Sequence, residues 1–193
     1  AVDPSRFGIV LAAVAIVAGG INATLTWSTA EVRYAREPTV RTVSVEDWLA
    51  SDWRTLPARR IDLGGDSEEP FTVQWAGTPA ALTATLERDG WHRPQPWSLR
   101  TVADAFRLST PLSTIPVTPE LSDGGAATLE LVRSDGVDER LVARFWPTGL
   151  RVGTETASVP VLEGTISRER RIHLFGLPIW PIAMSTPLPP AVS

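Results

Sequence analysis

The side chains of this sequence best suited to acid–base or nucleophilic chemistry are two histidines, because the chain contains no cysteine. His92 and His173 stand far apart and in different predicted elements, whereas zinc sites are usually built from ligands at short spacing. We therefore predict no metal site. His92 and Arg93 share a proline-rich turn, where we expect both to face solvent, and contact with a phosphate group is the functional alternative.

Paired carboxylates occur at Glu68-Glu69 and at Asp138-Glu139. A general acid needs a carboxyl group whose pKa is raised in a cleft, and both pairs stand in turn-like sequence, so we expect exposed loop acids. The chain also lacks a Gly-x-Ser-x-Gly elbow, a phosphate-binding glycine loop and a dinucleotide fingerprint. We predict no catalytic residue and no cofactor.

The eight tryptophans are the most unusual feature of the composition. Trp75, Trp91 and Trp146 occupy strand or cap positions that suit a core. Trp97 and Trp180 are less easily assigned, and an exposed ligand-stacking role is an alternative for both. The candidate ligand contacts are Trp97, Trp180, His92 and Arg93.

The clearest local structure runs from residue 71 to residue 91. Apolar and polar residues alternate over residues 71–75, which predicts a strand with one buried face. Thr78 then caps a helix, and Gly90 ends it. We expect Trp91 to fold back on Leu86 in a Schellman ending.

The remaining elements follow from caps and periodicity. They are a short helix after Ser44, a second helix after Ser98 extending to Phe106, a loop over residues 110–119, a hairpin of residues 127–133 and 139–146 closed by a turn at Pro147-Thr148-Gly149, and one or two strands within residues 158–172. The fold class predicted is a small mixed α+β domain with an antiparallel sheet and two helices.

Residues 7–27 form a 21-residue run without a charged side chain, which is long enough to span a bilayer. A transmembrane helix is the favoured interpretation, and a buried helix or a signal peptide are the alternatives. The predicted organisation is a transmembrane helix (1–28), a connector with a short helix (29–69), an α+β domain (70–175) and a proline-rich tail that need not be ordered (176–193).

Charge excludes one class of partner. The net charge is -4 and all 18 basic residues are arginine, whereas phosphate contacts with nucleic acid require clustered positive charge. We therefore predict no nucleic-acid partner. Arg59-Arg60 is interpreted as a solvated pair, with contact to lipid phosphate as the alternative.

Several motifs resemble the carboxy-terminal domain of LssY. They are Asp47-Trp48, Trp53-Arg54-Thr55-Leu56-Pro57-Ala58-Arg59-Arg60, Val73-Gln74-Trp75-Ala76-Gly77, Gly90-Trp91, Ile115-Pro116-Val117-Thr118-Pro119 and Arg144-Phe145-Trp146-Pro147. The resemblance covers residues 45–166 and departs from the family at Ser158-Val159-Pro160-Val161, where a tryptophan-valine-glycine stretch is common.

The resemblance implies an accessory domain at the carboxyl end of a bacterial phosphatidic acid phosphatase of type 2, similar to undecaprenyl-diphosphatases, in some members with a DedA domain. Its partners would be the lipid bilayer and an upstream phosphatase domain of the same chain. The domain would lie on the outer side of the inner membrane, periplasmic or extracellular. No catalytic residue can be carried over. The alternatives are an independent envelope or ligand-binding module and a hydrolase that uses His92 or His173.

Overall fold

The computed structural model describes residues 39–105, 107, 109–154, 156–174 and 177–187, with only the backbone course for residues 173–174 and 177–187. These residues belong to the second of two units of the chain, Glu37–Ser193. The run of residues 7–27 lies outside them, so the transmembrane helix stays a prediction. Within the described residues, no helix is long and apolar enough to cross a membrane.

Capping side chains set the starts of the helices. The described helices are α1 (Val45–Ala50), α2 (Pro79–Glu87) and α3 (Leu99–Ala105), with 3-10 turns at Asp52–Thr55 and Leu112–Thr114. Ser44, Thr78 and Ser98 each accept a hydrogen bond from a backbone N–H of the first turn. The predicted helices are confirmed, while Phe106 lies outside the described residues.

The end of α2 has the predicted Schellman geometry. The Trp91 N–H donates to the Leu86 carbonyl at 3.2 Å and the Gly90 N–H donates to the Glu87 carbonyl at 3.1 Å. Gly90 has φ 82°, a left-handed conformation that side chains disfavour. Trp91 and Leu86 consequently pack in one core cluster.

The strands assemble around one long antiparallel pair. The described strands are β1 (Arg41–Val43), β2 (Arg59–Ile61), β3 (Ser67–Pro70), β4 (Val73–Ala76), β5 (Leu121–Ser122), β6 (Gly125–Ala126), β7 (Leu129–Ser134), β8 (Glu139–Gly153), β9 (Ser158–Leu174) and β10 (Leu177–Pro187). The long pair is β8 with β9. On its other side β8 pairs with β7 and, further along, with β1. On its other side β9 pairs with β4 and, further along, with β10. Every pair in this sheet is antiparallel except β1 with β8, so the predicted mixed α+β class with an antiparallel sheet is confirmed.

Side-chain alternation gives the sheet two different faces. The apolar face carries residues such as Leu131, Phe145 and Leu162, which pack with Leu82 of α2 and with Trp91. This is the largest buried cluster, and it is built from the elements predicted to form the core.

The opposite face is polar in its middle and is covered by irregular chain. We call residues 111–121 the strap. Leu112 and Ile115 of the strap pack with Ala105 of α3, and Val117 packs with two valines of the sheet. The proline-rich loop that the sequence predicts here is thus confirmed, and it lies over the sheet.

Two boundaries differ from the prediction. The turn predicted at Pro147-Thr148-Gly149 is a bulge within β8, where the register with β9 shifts between Pro147 and Arg151. The sequence predicts a tail over residues 176–193 that need not be ordered, and in the structure β10 (residues 177–187) pairs with β9. Both stretches contain prolines, which a strand tolerates at a bulge and at an edge.

Candidate functional site: a buried ionic face

The polar face of the sheet gathers charged side chains because three neighbouring strands place them opposite one another. Arg140 lies opposite Glu169, and Arg144 lies between Thr165 on β9 and Glu130 on β7. Directly opposite residues have Cβ atoms about 4.5–5.5 Å apart. Strand pairing therefore brings these ions together, although they are far apart in the sequence.

Arg140 connects the sheet to the strap. Its Nε donates to Glu169 Oε2 at 2.8 Å, and its Nη1 donates to the carbonyls of Leu112 at 3.0 Å and Ile115 at 2.6 Å. The guanidinium is buried, so each donor that meets a strap carbonyl satisfies a group that would otherwise lack a partner. The strap is thereby held by a charged side chain as well as by apolar contacts.

Arg144 is the centre of the ionic face, with 1% of its side chain exposed. Its guanidinium lies 2.9 Å from Glu169, 3.2 Å from Glu120 and 3.6 Å from Glu130. It also donates to the strap carbonyl of Thr118 at 3.3 Å. One guanidinium thus contacts three carboxylates from two strands and the strap.

Arg60 adds a third arginine at the other end of the strap. It donates twice to Glu69, from Nε at 2.8 Å and from Nη2 at 2.9 Å, and its Nη1 donates to the Leu121 carbonyl at 2.6 Å. The sequence-based interpretation of Arg60 as solvated and of Glu69 as an exposed loop acid was wrong. Pairing of β2 with β3 places both on a covered side, and Arg60 is 8% exposed.

The charges of this cluster nearly cancel. Three guanidiniums meet four carboxyls on the covered side, and a fifth, the more exposed Glu68, lies 3.7 Å from Arg60. The covered members are Arg60, Arg140, Arg144, Glu69, Glu120, Glu130 and Glu169. Burial raises the pKa of Glu120 to about 7, against the opposing effect of Arg144, and the negative charge of the neighbouring Glu69 raises it further. Retention of one proton on Glu120 makes the cluster neutral. It then offers no excess positive charge to a phosphate group.

A second polar group lies further along the same face. Glu163 is buried, and its carboxylate accepts a hydrogen bond from Gln74 Nε2 at 3.2 Å. Burial raises the pKa of Glu163 to about 7, which the bond from Gln74 only partly offsets. Trp146, directly opposite Glu163, and Thr165 each bury a polar atom that has no hydrogen-bond partner among the described residues. We call these four residues the Glu163 cluster.

The candidate residues named from the sequence lie elsewhere. His92 is exposed, and its backbone exchanges hydrogen bonds of 2.9 and 2.8 Å with Val132 at the edge of β7. Arg93 is exposed, and Trp97 is half-buried with its indole N–H donating to the Val117 carbonyl at 3.1 Å. Trp180 lies on β10, and its side chain is outside the description.

His173 lies on β9, and its side chain is likewise not described. Across the residues whose side chains are described, no group of three or more histidine, aspartate or glutamate side chains is arranged to hold a metal ion. The two-histidine arrangement therefore stays untested.

Sequence reasoning missed the ionic face because each of its charges is ordinary in isolation. The available signal was alternation: Arg140 and Arg144 stand four residues apart within a predicted strand, and so on one face of it. A charged face on one strand can equally be the solvated face, and only strand pairing and the strap decide that it is buried.

This arrangement defines an α+β domain with an apolar core on one side of its sheet and a self-neutralised ionic layer on the other. The family model described as LssY C-terminus matches residues 53–178, which include both faces. The chain belongs to the LssY C-terminus family. Comparison with curated proteins and with solved structures finds no match.

Proposed function

We propose that this chain is a membrane-anchored, non-catalytic accessory domain of a bacterial membrane protein of the lipid phosphatase type. It acts beside a catalytic domain by positioning substrate, shielding the active site or recruiting a partner. The alternative, an independent envelope or ligand-binding module, would have to use the ring face of Trp97, because its indole N–H is already bonded within the domain.

The observation that carries the proposal is the internal pairing of Arg60, Arg140 and Arg144, although Arg144 Nε, 3.6 Å from Glu130, has no hydrogen-bond partner among the described residues. Recognition of a phosphate group needs guanidinium donors that can turn to the ligand. Arg60, Arg140 and Arg144 direct their donors to carboxylates and strap carbonyls of the domain itself. The ionic face is therefore suited to holding the fold and poorly suited to transferring phosphate.

The membrane context has two supports of a different kind. The run of residues 7–27 has the length and charge exclusion of a transmembrane segment. The resemblance to the carboxy-terminal domain of LssY implies an upstream phosphatase domain, and one further crossing by residues 7–27 would then place this domain outside the inner membrane.

The test compares the isolated chain with a complete protein that carries it. Residues 1–193 are reconstituted in lipid vesicles and assayed for phosphate release from phosphatidic acid and undecaprenyl diphosphate. We expect no turnover. The complete membrane protein, assayed in the same vesicles with and without residues 37–193, is expected to lose substrate affinity or rate when the domain is removed.

Two controls make the result decisive. His92→Ala and His173→Ala variants of the chain distinguish a weak intrinsic hydrolase from a contaminating one. Turnover by residues 1–193 that is lost in either variant would overturn the non-catalytic role. Identical kcat and KM for the complete protein with and without the domain would overturn the accessory role.

A further inference from the structure

Helix α1 buries one apolar side chain against the sheet and leaves two of its neighbours exposed. Trp48 packs against a cluster that includes Leu150 and Val152. Val45 and Leu49, one helical turn apart, flank Trp48 and are 49% and 71% exposed. Trp48 already fixes the helix, and a large part of both neighbours stays in contact with solvent.

The exposed surface continues into the 3-10 turn after α1. Trp53 is 41% exposed, and the Arg54 guanidinium lies over its ring, 4.6 Å from the centroid. Tryptophan with an arginine beside it suits the boundary between water and lipid, where the ring contacts apolar groups and the cation stays hydrated. We call Val45, Leu49, Trp53 and Arg54 the outer stripe.

The outer stripe lies close in sequence to the run of residues 7–27. Residues 28–44 separate the two, and a fully extended chain of that length spans no more than about 60 Å. If the run crosses a bilayer, a connector of this length lets the stripe reach the bilayer surface. The described residues also concentrate their exposed apolar side chains here, beginning with Val40.

The charges around the stripe indicate which lipid surface it fits. Arg41 and Arg54 are accompanied by three acidic residues, Glu46, Asp47 and Asp52. This local excess of negative charge gives no attraction to an anionic membrane. Apolar contact must dominate, which fits a zwitterionic headgroup layer.

We propose that the outer stripe docks the domain on the headgroup region of a zwitterionic bilayer. The proposal rests on the membrane anchoring contained in the proposed function. It adds a defined orientation, in which the exposed surfaces of Val45, Leu49 and Trp53 lie against the lipid.

The absence of cysteine makes a direct test simple. Leu49→Cys and Val137→Cys variants of the full chain are labelled with a nitroxide and reconstituted in phosphatidylcholine vesicles. Val137 is the matched control, because it is an exposed apolar residue in the turn between β7 and β8. Collision rates with oxygen and with a water-soluble nickel chelate report whether each label contacts lipid or water.

We expect the oxygen-to-chelate ratio to be several-fold higher at position 49 than at position 137, with little change when salt or anionic lipid is added. Equal ratios in chain that sediments with the vesicles would overturn the docking and leave the anchor intact. If the label at position 49 is shielded from the nickel chelate in detergent, and this shielding increases with protein concentration, the stripe contacts a second copy of the chain and the lipid docking is overturned. Chain that stays off the vesicles would overturn both docking and anchor.

Discussion

At the scale of single residues, Arg144 shows how a buried charge is tolerated. Removing an ion from water costs several kcal/mol, and that cost is recovered only if partners meet it with good geometry. Arg144 has three carboxylates within 3.6 Å and a strap carbonyl at 3.3 Å. Its removal would leave Glu169 buried with one counter-ion fewer.

We therefore predict that Arg144→Ala lowers the free energy of unfolding by about 3–5 kcal/mol, the usual cost of breaking a buried ion pair. Urea denaturation followed by tryptophan fluorescence measures this. Arg168→Ala is the control, because Arg168 is 47% exposed in its pair with Asp135 at 3.0 Å, and exposed pairs contribute about 0–1 kcal/mol. Similar losses in both variants would contradict the structural role of the ionic face.

The sequence could locate Arg144 but could not assign its partners. Alternation places it on one face of a strand, and its motif with Trp146 belongs to the family resemblance. Glu130 and Glu169 become its neighbours only through the register of β7, β8 and β9, and Glu120 only through the path of the strap. Contacts of this kind depend on tertiary structure, which local patterns do not contain.

At the scale of elements, the close contact of β8 with β9 depends on Gly164. It lies opposite Phe145, and a Cβ built on Gly164 would be 2.4 Å from Phe145 Cδ1 and 2.9 Å from the Arg144 carbonyl. The ring therefore lies over the glycine where any side chain would stand. The central strand pair needs this position empty for the core to close.

Gly164→Ala is predicted to destabilise the domain by about 1–3 kcal/mol, the cost of overpacking a core. Thermal denaturation by circular dichroism measures the change. Gly125→Ala serves as the control, since the nearest atom to its added Cβ is the Ser122 carbonyl at 3.5 Å, an ordinary contact. A Gly164→Ala protein as stable as the control would show that Phe145 can move aside.

Elements with their own local signals were predictable, and the others were not. Helix α2 carries its cap, its periodicity and its Gly90 ending in one continuous stretch. The bulge of β8 has the local geometry of a turn. The Thr148 hydroxyl accepts a hydrogen bond from the Leu150 N–H, and Gly149 has φ 76°. Only the presence of β9 alongside makes that stretch part of a strand.

At the scale of the whole molecule, buried carboxyls make stability depend on pH. The pKa values of Glu120 and Glu163 are raised to about 7 by burial, from 4.5 in an unfolded chain. Between these values the folded state holds protons that the unfolded state has released, so stability falls as pH rises. Glu69 acts in the opposite sense at lower pH: burial raises its pKa, but the hydrogen bonds to its carboxylate and the charge of Arg60 together outweigh burial and lower it.

We predict that the free energy of unfolding falls by on the order of 1–3 kcal/mol per raised carboxyl between pH 4.5 and pH 7, and stays low above. Urea midpoints across this range measure it. The double variant Glu120→Gln/Glu163→Gln should flatten the profile, and Glu87→Gln, at an exposed position of α2, should not. A wild-type chain whose free energy of unfolding at pH 8 equals or exceeds its value at pH 4.5 would contradict this prediction.

The parallel pairing of β1 with β8 also determines how the domain bears mechanical load. β1 is joined to β8 through three residue pairs, from Arg41 with Leu150 to Val43 with Val152. A pull on the preceding chain along the strand axis strains all of these pairs at once, in shear, instead of opening them one after another. A domain pulled through its amino-terminal side would thus meet the load first at a strand pair that resists unzipping.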